Sequence, residues 1–448
     1  MAASLDVVAA QSLPMTGPQT RWERIFLFLV GSLASTVMIK IGPVQILELV
    51  YLAQIAVLIR EASRTDGNLR VFRPLARIGM YFVWFSIASF ILALVALRLD
   101  FYTPESITPL KGPILITISR IVELMANVTI MIYLANQFRR FPGKARFTMR
   151  VYFWTGVASG VYSILTYPLD VAGIASLGAY LDSHRLRGFY NEGGPWGIYL
   201  LTVLFVGYVL TRLHWESRNR IWIGYAIVVA VLPGSASKAA AVAIPVFLLL
   251  IGIFARSFIA KVAIITSIVF LTIALMRVAD PAALFRTYIK SGDVYERESA
   301  RHRGDGNYIY GRVAGLFIIP RMVAAHPLTG IGWGNYGLVR NAPEFRGASV
   351  WADIDDDPGL GIAGLTADLG LPLFAFLLLC LAVPFATVRR LNVPAYIINM
   401  ALLQPAAHIC GAQLNLTYPW VVTSFALGLA FWSVKQTPHA PIQYLRNI

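Results

Sequence analysis

Charged residues and cysteines are scarce in this sequence. Of its 448 residues, 57% are hydrophobic, 14% are charged and 2 are cysteines. No soluble domain of this length needs so much apolar surface, so the composition predicts a polytopic membrane protein. Cys380 and Cys410 lie in apolar runs without a pairing framework or metal-ligand spacing, and we interpret both as small core residues.

The sequence also lacks the period-two alternation of a transmembrane β-barrel, which leaves helices as the spanning elements. We therefore predict an all-α fold of about twelve membrane-spanning helices that form one membrane-embedded domain, residues 1–448. The seventh and eighth spans are the least certain, because Pro233, Gly234 and Ser235 interrupt them. The predicted spans cover about residues 24–40, 42–60, 76–98, 114–136, 149–169, 194–212, 221–237, 239–255, 258–277, 361–386, 393–411 and 418–434.

Acidic residues are the rarer charge, since 23 Asp and Glu stand against 38 Lys and Arg. The basic residues concentrate in alternate connections, for example at residues 60–77, 139–150 and 212–220. By the positive-inside rule, this asymmetry predicts that both termini are cytoplasmic. Topology and attraction to lipid headgroups thus account for the net charge of +15, and we do not expect nucleic-acid binding. Residues 1–20 have no apolar core, so no cleaved signal peptide is expected.

Two connections on the opposite side of the membrane are long, at about residues 170–193 and 278–360. Long ordered loops are where function concentrates in a protein of short connections. The first loop contains Arg185 and Arg187 beside the next span. Arginine is always charged, and its guanidinium can donate two parallel hydrogen bonds to one phosphate. This pair therefore predicts binding of a phosphorylated lipid at the membrane surface.

The second long loop contains an apolar stretch, residues 308–325, which we predict to be a surface helix carrying Arg312 and Arg321. A glycine-rich run with two aromatic residues follows at residues 326–337. Glycines allow a backbone close to a ligand, but no strand precedes this run and no Gly-Lys-Ser/Thr follows it. It is therefore not a nucleotide-binding fingerprint, and a flexible turn with interfacial anchors remains an alternative.

Several of these pieces resemble the signatures of bacterial O-antigen polymerases and ligases. The resemblance lies in residues 187–192 with Gly197, in Gly311-Arg312, in residues 326–334 and in residues 367–372. Arg321 and Gly332, with ten residues between them, resemble an Arg-x10-Gly pattern described for such polymerases. The predicted spans and the large loop between the ninth and tenth spans match the family's layout as well. The motifs cover only about forty residues, and each is unspecific alone.

The resemblance implies a helical glycosyltransferase of the GT-C type in the bacterial inner membrane, with a structured periplasmic loop and a periplasmic active site. It implies undecaprenyl-diphosphate-linked glycans as donor and acceptor, within membrane lipid, and leaves a chain-length regulator open as a partner. No cofactor is implied. Candidate catalytic residues are Arg187, Arg185, Arg312, Arg321 and His326. Candidate substrate-binding residues are Gly188, Tyr190, Asn191, Glu192, Lys238, Gly332, Trp333 and Asn335.

One departure from the family concerns its ligases, which carry a His-Asn pair where this chain has Gly359 and Leu360. The absence of that pair favours a polymerase, with ligation of the glycan to lipid A core as the alternative. A general base would then come from other residues. The candidates are Asp353, Asp355, Asp356, Asp357 and His184. The acidic run has two alternative interpretations, a solvated loop or a divalent-cation site.

Arg120 and Glu123 lie three residues apart within the fourth predicted span, where they are expected to neutralise one another or to line a lipid groove. A lipid-linked glycan transporter without catalysis is a competing function. It would predict internal repeats and several charges at the bilayer midplane, and the sequence shows neither clearly. A scaffold for other envelope enzymes is a further alternative.

Overall fold

The computed structural model describes twelve stretches of the chain. They are residues 20–34, 40–41, 44–45, 51, 53–60, 71–101, 112–174, 186–190, 193–235, 243–244, 312–346 and 361–435. Within these stretches the protein is helical, apart from one short pairing of β1 (Lys40–Ile41) with β2 (Val44–Gln45).

The helices begin where the sequence supplies a cap or a proline. The Thr20 side chain accepts the N–H of Glu23 at 3.2 Å, and proline occupies the first turn of three others. The helices are α1 (Arg21–Leu33), α2 (Arg73–Ala96), α3 (Pro113–Arg140), α4 (Pro142–Val171), α5 (Gly193–Arg212), α6 (Arg218–Val231), α7 (Arg312–Ala325), α8 (Leu365–Arg390), α9 (Ala395–Ile409) and α10 (Thr417–Lys435). The structure also describes a helical stretch at residues 53–60 and the turns Tyr336–Val339, Pro343–Arg346, Pro233–Ser235 and Gly361–Gly364.

Four of the described helices are long and apolar enough to cross a membrane: α2, α3, α5 and α8 with the turn before it. The prediction of a helical membrane protein is thereby confirmed at this level. Large apolar side chains remain exposed on the outer faces of the helices, among them Trp84, Ile91 and Leu165. Such a surface suits contact with lipid.

The count of twelve spans stays a prediction, because the ninth predicted span, and the eighth apart from residues 243–244, lie outside the described residues. The first span is shorter than predicted: α1 ends at Leu33, and residues 40–41 pair with residues 44–45. In the second predicted span, residues 53–60 are helical, whereas residues 44–45, which the prediction placed in its first turn, pair as a strand. The interruption at Pro233 is confirmed, since α6 gives way to a 3-10 turn there.

The core is built around α10, which packs against α3 and α9. Helix α2 lies between α3 and α8, and α5 packs on α4. Phe82, Phe138 and Trp420 contribute large rings to the main buried cluster. A second, smaller cluster joins α7 to the segment that follows it, through Ile318, Met322 and Phe345.

The connections of the described chain gather at two ends of the bundle. At one end, Lys144 pairs with Glu23, and Arg146 Nε donates to the Trp215 carbonyl at 3.1 Å. We call this the arginine-rich end. At the other, the loop end, the segments between helices contact one another across the bundle, as in the 2.9 Å bond from Leu186 N–H to the Gly234 carbonyl. The grouping of basic connections at one end agrees with the charge pattern of the sequence.

Candidate functional site

The Arg187 turn, residues 186–190, lies at the loop end and is held against α4. The Gly188 N–H donates to Ser163 Oγ at 3.0 Å, and Trp196 Nε1 donates to Ser159 Oγ at 3.1 Å. Gly188 has φ +56°, and a β-carbon there would overlap the Trp196 indole. The turn therefore has one well-defined backbone path, and it presents Arg187 as a half-buried side chain.

A cluster of four tyrosines lies beneath this turn. The Tyr190 ring is 5.7 Å from Tyr199 and 6.3 Å from Tyr418, and Tyr199 is 5.2 Å from Tyr152. Within the described residues, the hydroxyls of Tyr190 and Tyr418 are buried without a hydrogen-bond partner. Burial raises the pKa of Tyr190 well above its ordinary value, and the nearby Tyr418 adds to the effect. The Tyr190 hydroxyl therefore stays protonated.

The glycine loop, residues 326–337, is held by the start of α8. Asp368, which is 5% exposed, accepts the N–H of Gly334 at 2.8 Å and the N–H of Tyr336 at 3.1 Å. The Ile331 and Gly332 N–H groups donate to the carbonyls of residues 367 and 368, each at 3.0 Å. Two stretches that the sequence singled out separately thus form a single unit, in which a carboxylate occupies the loop's amides.

Gly330 and Gly370 make this unit possible because their backbones touch. Both have positive φ, +63° and +68°, and Gly370 breaks the helical path of α8. A β-carbon on Gly330 would overlap the Asp368 carbonyl, and one on Gly370 would lie 2.8 Å from the Leu328 carbonyl oxygen. Only glycine accommodates both the conformation and the contact.

The three predicted substrate-binding residues of the glycine loop are buried within it. Gly332 is enclosed, Trp333 is 4% exposed and Asn335 is 1% exposed. The Trp333 carbonyl accepts from Thr117 Oγ1 at 2.9 Å, and Asn335 Nδ2 donates to the Ile331 carbonyl at 3.2 Å. These contacts give the three residues a framework role, and direct binding of substrate by them stays a prediction.

Arg120 adjoins the glycine loop from α3. Its Nη1 pairs with Glu123 at 3.1 Å, which confirms the expected neutralisation, while its side chain remains 43% exposed. A β-carbon on Gly334 would lie 3.6 Å from Arg120 Nε, so the guanidinium stands beside the loop. The sequence had placed this residue in a span; its position beside the glycine loop is a result of tertiary packing.

The end of α7 carries the other two described candidates, Arg321 and His326. Arg321 Nη1 donates to the Phe345 carbonyl at 3.2 Å, and the His326 ring lies 6.2 Å from the Phe345 ring. Both side chains therefore hold the α7 segment to the segment after the glycine loop. Arg340, which the sequence analysis did not single out, is 1% exposed and its guanidinium lies over the Tyr336 ring at 5.6 Å. In the sequence, only the position of Arg340 after the apolar residues Leu338 and Val339 could have indicated that it is buried.

An apolar groove of about 360 Å³ opens between α2 and α8. Its lining includes Ile91, Leu92 and Phe376. Phe376 packs against Phe85 at 6.3 Å, and Phe85 packs against Trp333 of the glycine loop at 5.6 Å. The wall of the groove is thus connected to the glycine loop by packing through Phe85.

Several predicted site residues lie outside the described residues, and their roles stay predictions. They are His184, Arg185, Asn191, Glu192, Lys238, Asp353, Asp355, Asp356 and Asp357. Arg312 begins α7, but its side chain is outside the description. Among the side chains that are described, no group of three or more His, Cys, Asp or Glu is placed to hold a metal ion.

Comparison of the sequence with protein-family models gives no match, and no curated protein is similar to it. The functional interpretation accordingly depends on the site itself.

Proposed function

We propose that this protein polymerises undecaprenyl-diphosphate-linked oligosaccharide repeat units at the loop end of the bundle, on the periplasmic face of a bacterial inner membrane. One observation carries the proposal: the wall of an apolar groove packs, through Phe85, against a rigid loop that has an arginine beside it. That combination suits an amphiphile with a long hydrocarbon tail and an anionic head. The motif resemblance supplies the identity of the carrier and the glycan.

A polymerase needs sites for two carrier-linked substrates, and two arginines of the described loop end, Arg187 and Arg120, belong to different segments of the chain. Arg187 belongs to the turn held by α4, and Arg120 belongs to α3 beside the glycine loop. We infer one diphosphate site at each. Such guanidinium groups, fixed before the substrate arrives, stabilise charge without reorganisation at the moment of reaction.

The proposed reaction transfers the growing glycan from its diphosphate carrier to a hydroxyl of the other glycan. The acceptor oxygen forms a bond to the anomeric carbon, and the bond from that carbon to the carrier's diphosphate oxygen breaks. The acceptor's proton passes to a base, for which the acidic run at residues 353–357 and His184 or His326 are the candidates. Negative charge collects on the departing diphosphate, where Arg187 or Arg120 would stabilise it.

Reconstitution of the purified protein with carrier-linked oligosaccharide as the sole glycan tests the proposal. A ladder of longer carrier-linked products is the expected result, read by gel or mass spectrometry. Product that forms only when lipid A core is added would replace polymerisation by ligation. No product under either condition, with protein shown to be folded, would contradict both forms of the transfer.

A further inference from the structure

The arginine-rich end of the bundle contains a cleft that the proposed transfer does not use. It has a volume of about 420 Å³ and lies between α4 and the connection from α5 to α6. Four arginines line it: Arg146, Arg150, Arg218 and Arg220. None of the described lining residues is a lysine, although lysine would serve equally well for a simple excess of positive charge.

The charges in this cleft do not cancel. Among the described residues of the lining, Glu216 is the one carboxylate; its Oε2 pairs with Arg150 Nε at 2.6 Å and its Oε1 lies 3.5 Å from Arg220 Nη1. Four guanidinium groups therefore face one carboxylate. Arg146 donates through Nε to the Trp215 carbonyl, which fixes the guanidinium at the wall of the cleft.

The first turn of α6 adds to the positive character. The helix begins at Arg218, and Ser217 caps it by accepting the N–H of Arg220 at 3.4 Å. The partial positive charge of a helix N-terminus thus adjoins the arginines. Trp222, one turn further, is 57% exposed, as an indole at the depth of lipid headgroups would be.

We propose that this cleft binds a phosphate-bearing anion, and that the headgroup of an anionic phospholipid supplies it. Guanidinium forks match phosphate oxygens, and a cleft that collects several of them holds a headgroup more tightly than dispersed surface charges do. The site is separate from the proposed glycan transfer, which takes place at the opposite end of the bundle.

The test compares two charge reversals in the purified full-length chain. Arg218→Glu removes a cleft cation at an exposed helix start, where an acidic side chain suits the helix dipole and should leave folding intact. Arg73→Glu is the matched control, because Arg73 also begins a helix, is exposed and lies at the same end of the bundle. Arg218→Gln gives the same comparison without the new negative charge.

The measurement is the thermal unfolding midpoint during titration with phosphatidylglycerol, with phosphatidylcholine, or with inorganic pyrophosphate in solution. Phosphatidylglycerol should stabilise the wild type and the Arg73→Glu variant, and its apparent affinity should fall about tenfold in Arg218→Glu. The same pattern with pyrophosphate alone would support the site with a soluble anion as its ligand. Equal effects of both reversals, or no selective stabilisation by either anion, would overturn the proposal.

Discussion

The two loops at the loop end of the bundle are held in place by different means. The glycine loop is fixed through its backbone by the start of α8, since the Asp368 carboxylate accepts two of its N–H groups and Gly330 touches Gly370. The Arg187 turn is fixed by side chains of neighbouring helices, chiefly Ser163 and Trp196. N–H groups of the glycine loop are thus bonded to α8, whereas the Arg187 turn carries a half-buried arginine side chain.

The difference separates a structural clamp from the turn at which we propose a ligand site. Amides that already bind a carboxylate are not available to a diphosphate, so the glycine loop's contribution is rigidity and the placement of Arg120. The Arg187 turn has a different arrangement, because a neighbouring side chain holds its backbone at Gly188 and the Arg187 side chain is half-buried. Substitutions in the two loops should therefore change different properties of the protein.

The largest effect is expected from Gly330→Ala in the clamp. The β-carbon would overlap the Asp368 carbonyl, and alanine disfavours φ +63°, so we expect a loss of about 4 to 5 kcal/mol of stability or no folded protein. Thermal unfolding of the purified protein measures it. Gly173→Ala is the control, because Gly173 has φ +70° with nothing within 4 Å, and it should cost about 1 kcal/mol. Equal losses in the two variants would show that the backbone contact is unimportant.

Arg187→Ala should change activity and not stability. Loss of one preorganised cation typically slows a transfer reaction by about a hundredfold to a thousandfold, or about 3 to 4 kcal/mol in the barrier. The reconstituted polymerisation assay measures the rate, and unfolding of the same sample monitors the fold. Arg98→Ala, at an exposed arginine of the loop end, should keep the wild-type rate. Wild-type rates in both variants would remove Arg187 from the proposed site.

Asp368→Asn should weaken the clamp by about 2 kcal/mol, the smallest of the three effects. The substitution keeps the shape of the side chain but removes the charge that strengthens its bonds to Gly334 and Tyr336. Asp100→Asn, at an exposed carboxylate, should stay within about 0.5 kcal/mol of wild type in the same unfolding measurement. An unchanged midpoint in Asp368→Asn would mean that the glycine contacts alone hold the loop.

Much of the architecture could be predicted from local signals. Apolar runs longer than a bilayer's thickness indicate spanning helices, and α2, α3, α5 and α8 agree with them. The break at Pro233 and the helix after residue 311 were likewise visible, because proline and apolar composition act over a few residues. The pairing of residues 40–41 with residues 44–45 was missed, since a two-residue strand leaves almost no pattern in the sequence.

The site depended on contacts between residues far apart in the chain. Residues 326–337 and 367–372 were recognised as separate stretches, and nothing in either indicated that the Asp368 carboxylate would occupy the glycine loop's amides. The same holds for Arg120 beside Gly334 and for Tyr190 against Tyr418.

Composition and charge by themselves determined that this protein is a helical membrane protein with its basic connections gathered on one side. Those properties follow from the free-energy cost of placing polar backbone and charge in lipid. This cost applies to each segment independently of its neighbours. Tertiary structure decided which arginine is presented, which loop is a clamp and where four arginines meet in a cleft. Helices that are apolar on every face do not reveal which neighbours they will contact, so these arrangements emerge only when the helices pack.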